Sequence, residues 1–290
     1  MIHENIKIDI DYEKLGIKHK GADAVFTTYI KEMYPEYQNV FERPLVIICP
    51  GGGYEHHSPR EGEAVALKML DFGYNAVVLR YSLMPDEFPC ALCEAAYTIN
   101  YVRNHAKEWD INPNKIIIAG FSAGGHLALS SGLLGKNRPN GLILGYPATD
   151  MSGQGSELMQ MLFFGKEGPA KEEKIWLNPV QAVTKDAPPL FMFTTAEDTL
   201  TRRSTLDLVM AYEEKGCLLE YHLFQKGPHG YSLANEACAD GSSQVIDPHV
   251  EKWLDLSVEW IFSVFGQLEF RDISTSHIMD AIKELGIPLP

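Results

Sequence analysis

The sequence has few basic residues, and this shortage excludes several classes of partner. Among its 290 residues, 25 are Lys or Arg and 39 are Asp or Glu, which gives a formal net charge of −14 at neutral pH. Nucleic acids and anionic membrane surfaces are bound by positively charged faces. We therefore expect no nucleic-acid partner and no membrane partner, and neutral substrates are favoured over strongly acidic ones.

The chain also lacks the usual patterns of membrane insertion and secretion. No apolar stretch approaches the roughly 20 residues that a membrane-spanning helix needs. The first residues, MIHEN, do not form the basic start and apolar run of a signal peptide. The cysteines are odd in number, and Cys90 and Cys93 lie among small apolar residues that indicate a buried helix face rather than a redox pair. These observations predict a cytoplasmic protein.

What the sequence does contain is a regular alternation of strand and helix patterns, in a chain whose length fits one large domain. Continuously apolar runs predict strands covered on both faces, at 44–49, 75–80, 115–119, 141–146, 189–194 and 219–224. Helical patterns lie between them, at 61–72, 90–108, 123–134, 201–216 and 249–265. The alternation predicts an α/β fold, a doubly wound and mostly parallel sheet with helices on both faces, as a single domain over residues 1–290.

Three regions depart from this rhythm. Weaker strand patterns at 6–10 and 24–30 predict an antiparallel edge of the sheet. Residues 151–187 contain no clean strand–helix unit and are rich in Met, Phe and Trp, so they predict either a small cap that forms a pocket wall or an ordinary crossover with a loop. An extra helix is predicted at 274–285, where it either packs on the body or mediates a homodimer.

The strongest functional motif is Gly-Phe-Ser-Ala-Gly, with Ser122 at its centre, between the predicted strand at 115–119 and the predicted helix at 123–134. G-x-S-x-G in this context is typical of a nucleophile elbow. A side chain two positions before or after the serine would collide with the tight turn, so both positions are glycine. The turn exposes the Ser122 hydroxyl, and it places the N–H of Ala123 at a helix N-terminus, where it can stabilise an oxyanion.

A second glycine-rich segment, Pro-Gly-Gly-Gly-Tyr at 50–54, follows the predicted strand at 44–49. Consecutive glycines let backbone N–H groups face a ligand, and the Gly-Lys-Ser/Thr of a phosphate-binding loop does not follow. We expect the N–H groups of Gly52 and Gly53 to complete an oxyanion hole with that of Ala123. The side chains expected to line the substrate pocket are Tyr54, His57 and Tyr231.

A serine nucleophile needs a base that takes its proton and an acid that orients the base. His229 lies in Gly-Pro-His-Gly, a loop after the last apolar strand and a poor place for a core histidine, so it is the expected base. The strand at 189–194 runs into Glu197 and Asp198, and either could be the acid because the sequence does not fix the register of the strand end. Asp150, after the previous strand, is a third candidate. No histidine cluster has metal-site spacing, so no metal or cofactor is expected.

The segments PGGGY, GFSAGGHLA, AEDTLT and KGPHGY together resemble the small esterase- and lipase-like branch of the α/β-hydrolase superfamily. That branch includes acetylxylan-esterase-like and sugar-hydrolase-like proteins and is related to the hormone-sensitive-lipase group. The likeness extends from about residue 44 to about residue 260. It implies Ser122 as the nucleophile, Asp198 as the acid, His229 as the base and Gly51 to Gly53 as the oxyanion loop.

One residue departs from the hormone-sensitive-lipase pattern, because Pro50 stands where that group has histidine. This substitution is usual in the sugar-esterase branch and favours short acyl esters of polar alcohols. The resemblance thus implies a serine esterase that acts on a small-molecule ester, with acetylated sugars as the first expectation. Two alternatives stay open, a small amidase or formamidase of the same fold and a catalytically silent binding protein.

Overall fold

The computed structural model describes residues 1–33, 40–153, 157–165, 168–171, 173–239, 241–270 and 284–286. The strands are β1 (Asn5–Lys7), β2 (Val25–Tyr29), β3 (Val40–Phe41), β4 (Arg43–Cys49), β5 (Asn75–Arg80), β6 (Ile111–Phe121), β7 (Gly141–Gly145), β8 (Leu190–Thr195), β9 (Leu219–Phe224) and β10 (Glu269–Phe270). The helices are α1 (Glu63–Asp71), α2 (Cys90–Asn104), α3 (Ala123–Leu133), α4 (Glu157–Phe164), α5 (Lys174–Leu177), α6 (Arg202–Lys215) and α7 (Trp253–Phe265).

The main sheet has eight strands in the order β1-β2-β5-β4-β6-β7-β8-β9. The six strands from β5 to β9 in this order pair in parallel, whereas β1 and β2 form an antiparallel edge. Helices that cross the faces of the sheet connect the parallel strands, because a parallel pair needs a long crossover connection rather than a tight turn. The predicted doubly wound, mostly parallel sheet and its antiparallel edge are confirmed.

Strand β4 explains why the apolar runs are continuous rather than alternating. Leu45 and Ile47 face a core that includes α2, α3 and α6, whereas Val46 and Ile48 face a second core that includes α1 and α7. All four side chains are fully buried. Burial of one such side chain contributes about 1.5–3 kcal/mol, so both layers hold the strand in place. This two-sided packing fixes the strand ends, where the motif residues lie.

The boundaries of several predicted elements differ from those observed. Helix α7 begins at Trp253, because the first turn of the predicted helix at 249–265 is a 3₁₀ turn at 250–252. The two-residue ladder between β3 and β10 was not predicted, since neither segment is long enough to show a period. Apart from its last two positions, the helix predicted at 274–285 lies outside the described residues.

The two neighbouring cysteines lie at the start of α2, as the sequence predicts for small buried residues. Cys90 is 1% exposed, and burial raises its pKa to about 12. Burial also raises the pKa of the half-buried Cys93. Both thiols therefore stay protonated near neutral pH and are poor nucleophiles. Over the ranges that the structure describes, no helix is long and apolar enough to span a bilayer.

Candidate active site

Ser122 lies at the junction of β6 and α3 in a strained backbone conformation, with φ of +51° and ψ of −117°. A side chain at either flanking glycine would have no room. A Cβ atom at Gly120 would lie 2.2 Å from the carbonyl oxygen of Gly124, and one at Gly124 would lie 2.0 Å from the carbonyl oxygen of Cys49. The turn is therefore possible only with glycine at both positions, and strain of this kind is typical of functional sites.

The structure brings Ser122, His229 and Asp198 together, although they are far apart in the chain. Ser122 Oγ lies 2.8 Å from His229 Nε2, and His229 Nδ1 lies 2.8 Å from Asp198 Oδ2. In the neutral imidazole with its proton on Nδ1, the serine hydroxyl donates to Nε2 and Nδ1–H donates to the carboxylate. This arrangement can remove a proton from the serine as it attacks an electrophilic carbon.

Asp198 is held in one orientation by the turn that follows β8. Its Oδ1 accepts the backbone N–H groups of Leu200 and Thr201, and its Oδ2 accepts the hydroxyl of Thr201. Burial raises the pKa of this carboxyl, but the hydrogen bond and charge of His229, together with the bonds from Thr201, hold the pKa below its usual value. Asp198 is therefore ionised at neutral pH and can stabilise an imidazolium.

The other two carboxylates that the sequence left open have different partners. Glu197 accepts the backbone N–H of Gly227 at 3.0 Å, so it anchors the start of the loop that carries His229. Asp150 is exposed and accepts the backbone N–H and the hydroxyl of Ser152. Among the three candidates, only Asp198 contacts the imidazole in the described part of the chain.

The glycine loop after β4 directs its N–H groups away from its own turn. The carbonyl of Gly51 accepts the N–H of Ser58, and the carbonyl of Gly52 accepts the N–H of Glu55. In a trans peptide the N–H points opposite to the carbonyl, so the N–H groups of Gly52 and Gly53 point away from residues 55–58. Gly52 and Gly53 have φ values of +121° and +65°, which favour glycine.

The loop also lies directly against the elbow. A Cβ atom at Gly51 would come within 3.0 Å of Ser122 Cβ, and the hydroxyl of Tyr81 donates to the carbonyl of Pro50 at 2.6 Å. Ala123 is the first residue of α3, so its N–H has no acceptor within the helix. The three expected oxyanion donors therefore belong to two segments that meet beside the serine.

Two of the three side chains expected in a substrate pocket are instead packed inside the protein. Tyr54 is 2% exposed and Tyr231 is 1% exposed. Tyr54 packs in an aromatic cluster, while Tyr231 packs on Tyr146 with ring centroids 4.7 Å apart. The third, His57, is half-buried with its ring edge-on to Tyr81. The sequence missed this because an aromatic residue beside a motif looks the same whether its ring points outwards or inwards.

His126, one turn into α3, joins the glycine loop to the segment at 151–187. The hydroxyl of Tyr54 lies 2.9 Å from its Nδ1, and its Nε2 lies 2.6 Å from the carbonyl oxygen of Trp176. In the neutral tautomer, Tyr54 donates to Nδ1 and Nε2–H donates to Trp176. The ring of Phe163 packs against the rings of Tyr54 and Trp176. The described parts of the segment at 151–187 therefore pack beside the glycine loop.

The burial of His126 predicts a pH-dependent stability. Burial lowers its pKa to about 4, so between about pH 4 and pH 6.5 the unfolded chain binds a proton that the folded chain does not. The free energy of unfolding should therefore fall as the pH drops through this window, by about 2 kcal/mol from pH 6.5 to pH 4.5 for this group. In His126→Gln, the free energy of unfolding, measured by urea titration, should fall by about 2 kcal/mol less than in the parent between pH 6.5 and pH 4.5.

The matched control is His249→Gln, because His249 is exposed. This variant should keep the pH slope of the parent protein. Equal slopes for His126→Gln and the parent would show that His126 does not remain neutral in the folded state.

Some residues of the site were not predicted from the sequence. Glu61 and Tyr146 are both buried, and the Tyr146 hydroxyl donates to Glu61 at 2.6 Å. Glu61 lies in the same Arg-Glu-Gly-Glu stretch as Glu63, which is exposed on α1, and no sequence signal separates the two. Tyr146 is the last residue of the strand predicted at 141–146, and its place at the carboxyl end of a strand is the one pattern that could have indicated a site residue.

The strained serine elbow, the glycine loop against it and the eight-stranded sheet define an α/β-hydrolase of the esterase-like branch. Residues 32–207 match the BD-FAE family model, so the chain belongs to the BD-FAE family. An α/β-hydrolase enzyme from a Medee basin deep-sea metagenome library has a similar structure. It is 34% identical, its TM-score is 0.76, and the match covers 92% of this chain and 99% of that one.

Two further similar proteins carry names that describe ester chemistry. The acetyl ester-xyloside bifunctional hydrolase of Caldicellulosiruptor lactoaceticus is 27% identical with a TM-score of 0.77, over 91% of this chain and 97% of that one. The acetylxylan esterase of Xylanibacter ruminicola is 29% identical over 65% of this chain and 41% of that protein. The chain spans less than half the length of the first curated relatives that it matches.

Proposed function

We propose that this chain is a serine carboxylic-ester hydrolase that acts on short acyl esters, with acetyl esters of carbohydrates as the first candidates. The observation that carries the proposal is the pair of 2.8 Å contacts that link Ser122, His229 and Asp198. These contacts support a hydroxyl made nucleophilic by an oriented base.

The proposed reaction is a two-step acyl transfer without a cofactor. His229 takes the proton of Ser122 as Oγ attacks the ester carbonyl, and the C–O bond to the alcohol breaks as His229 returns the proton to the departing oxygen. Water then attacks the acyl-enzyme with His229 again as the base, which releases the acid. The N–H groups of Gly52, Gly53 and Ala123 are the proposed donors to the oxyanion in both steps, and one such donor is typically worth about 3–4 kcal/mol.

The preference for a short acyl group rests on Pro50, which stands where the hormone-sensitive-lipase group has histidine, a substitution usual in the sugar-esterase branch that this chain resembles. The carbohydrate part of the proposal rests on the names of the acetylxylan esterase and the acetyl ester-xyloside hydrolase that this chain resembles. The cytoplasmic location and the homodimer stay predictions.

The test is a panel of substrates for the purified protein: p-nitrophenyl acetate, butyrate and decanoate, acetylated xylo-oligosaccharides, and N-formylkynurenine. We expect acetate release from the xylo-oligosaccharides, and kcat/KM should fall by about tenfold or more between the acetyl and decanoyl esters. Faster turnover of N-formylkynurenine than of any ester would instead indicate a formamidase. The absence of both hydrolysis and labelling by a fluorophosphonate probe would indicate a silent binding protein.

A further inference from the structure

Glu61 is a buried carboxylate that the proposed acyl transfer does not use. It is 3% exposed, and its two oxygens have different partners. Oε2 accepts the backbone N–H of Gly51 at 2.8 Å, and Oε1 accepts the hydroxyl of Tyr146 at 2.6 Å. Both partners donate, so both carboxylate oxygens of Glu61 act as acceptors. A buried carboxylate costs free energy unless it is bonded in this way, so its place in the fold calls for a reason.

Tyr146 extends the contacts of Glu61 towards the base. It directly follows β7, is fully buried, and has a positive φ of +35°. Its hydroxyl oxygen accepts the backbone N–H of Ser232 at 2.9 Å, and its ring lies edge-on to His229 with centroids 5.1 Å apart. The hydroxyl proton goes to Glu61, so the two hydrogen bonds form one chain from Ser232 through Tyr146 to Glu61. Successive bonds of this kind strengthen one another.

The residues at the two ends of this hydrogen-bond series, Gly51 and Ser232, each lie close to a reacting group. Gly51 is packed against Ser122 and begins the glycine loop. Ser232 lies three positions after His229, and its hydroxyl also donates to the carbonyl of Arg60 at 2.6 Å. The segment that carries Glu61 is thus linked to the histidine loop (residues 226–232) once directly and once through Tyr146, and it is bonded once to the glycine loop.

We propose that Glu61 is a positioning residue that holds the glycine loop and the histidine loop in register on either side of Ser122. This inference rests on the proposed ester hydrolysis and adds to it a residue that does not touch the substrate. The oxyanion donors must lie where the ester carbonyl oxygen is in the transition state, which differs from its position in the bound ester. An error in loop position therefore lowers kcat much more than it raises KM.

The test is a pair of variants assayed with p-nitrophenyl acetate. In Glu61→Gln, one oxygen becomes an NH₂ group that faces a donor, so either Gly51 or Tyr146 loses its acceptor. We expect kcat to fall by about 10- to 100-fold with KM within about threefold of the parent, somewhat less than the loss of a whole oxyanion donor. Tyr146→Phe leaves the Gly51 bond intact and should lower kcat by about three- to tenfold. Fluorophosphonate labelling should slow in parallel in both variants.

Glu94→Gln is the matched control. Glu94 is also a fully buried glutamate, it lies on α2, and it accepts a tyrosine hydroxyl from Tyr12 at 2.6 Å and a backbone N–H from Ser82 at 2.6 Å. Neither partner belongs to the glycine loop or the histidine loop. The substitution should therefore lower the thermal midpoint much as Glu61→Gln does, while kcat stays within about twofold of the parent.

The possible outcomes separate the two proposals. If the parent hydrolyses the ester and folded Glu61→Gln keeps kcat within threefold, or loses no more than Glu94→Gln, the positioning role is overturned and ester hydrolysis stands. If Glu61→Gln does not fold, Tyr146→Phe decides, and an unchanged kcat there overturns the role. If the parent hydrolyses no ester, the proposed function fails and this inference fails with it.

Discussion

Ser122→Ala is expected to lower kcat for p-nitrophenyl acetate by about 10⁴- to 10⁶-fold, with little change in KM. The variant keeps the glycine loop and the strained turn, so it can still bind an ester, but it has no oxygen to form the acyl-enzyme. His229 would then act only on water, and what remains is the catalysis that the oxyanion donors and binding provide. Initial rates and the loss of fluorophosphonate labelling measure the effect.

Ser130→Ala is the matched control for this substitution. Ser130 is a fully buried serine on α3, the same helix that follows the elbow, and its hydroxyl has no hydrogen-bond partner among the described residues. The loss of such a hydroxyl is expected to leave kcat within about twofold of the parent. Undiminished ester hydrolysis by Ser122→Ala would rule out the nucleophile and with it the proposed mechanism.

Asp198→Asn is expected to lower kcat by about 10³- to 10⁴-fold while the fold is retained. The amide occupies the same volume, but when its NH₂ group faces His229 it favours the tautomer with the proton on Nε2. That nitrogen can then no longer accept the proton of Ser122. The lost negative charge also removes the stabilisation of the imidazolium. The kcat of the purified variant, measured with p-nitrophenyl acetate, gives the size of the effect.

Glu197→Gln tests the neighbouring carboxylate in the same turn. Its side-chain oxygen can still accept the N–H of Gly227, so the histidine loop keeps its anchor. We expect kcat within about fivefold of the parent, because no charge next to the imidazole is lost. A larger loss of kcat in Glu197→Gln than in Asp198→Asn would reverse the assignment of the acid.

The fold could be predicted from the sequence because its signals are local. Each central strand is an apolar run buried on both faces, and each crossover helix has its own period. The serine elbow was predictable for the same reason, since the two glycines and the flanking elements lie within one short segment. The pattern failed for the two-residue strands β3 and β10, whose pairing depends on contacts between distant parts of the chain.

The catalytic acid and the buried residues that support the site could not be predicted from local sequence patterns. Glu197 and Asp198 are adjacent, and a shift of one residue at the end of β8 would exchange their directions. The two carboxylates are distinguished only by the turn that follows, in which backbone N–H groups donate to Asp198. The inward packing of Tyr54 and Tyr231 and the contact between Glu61 and Tyr146 depend likewise on which tertiary neighbours arrive. The type of a residue does not indicate which tertiary neighbours it will contact.

The contact of Gly124 with the carbonyl oxygens of Cys49 and Pro50 limits how such an enzyme can diverge. Main chain lies against main chain at this joint, so no side chain there can be exchanged for a larger or smaller one. Any added atom would displace the nucleophile and the oxyanion loop together. A change of substrate range would therefore require substitutions at other positions around the site, because this joint admits no larger side chain.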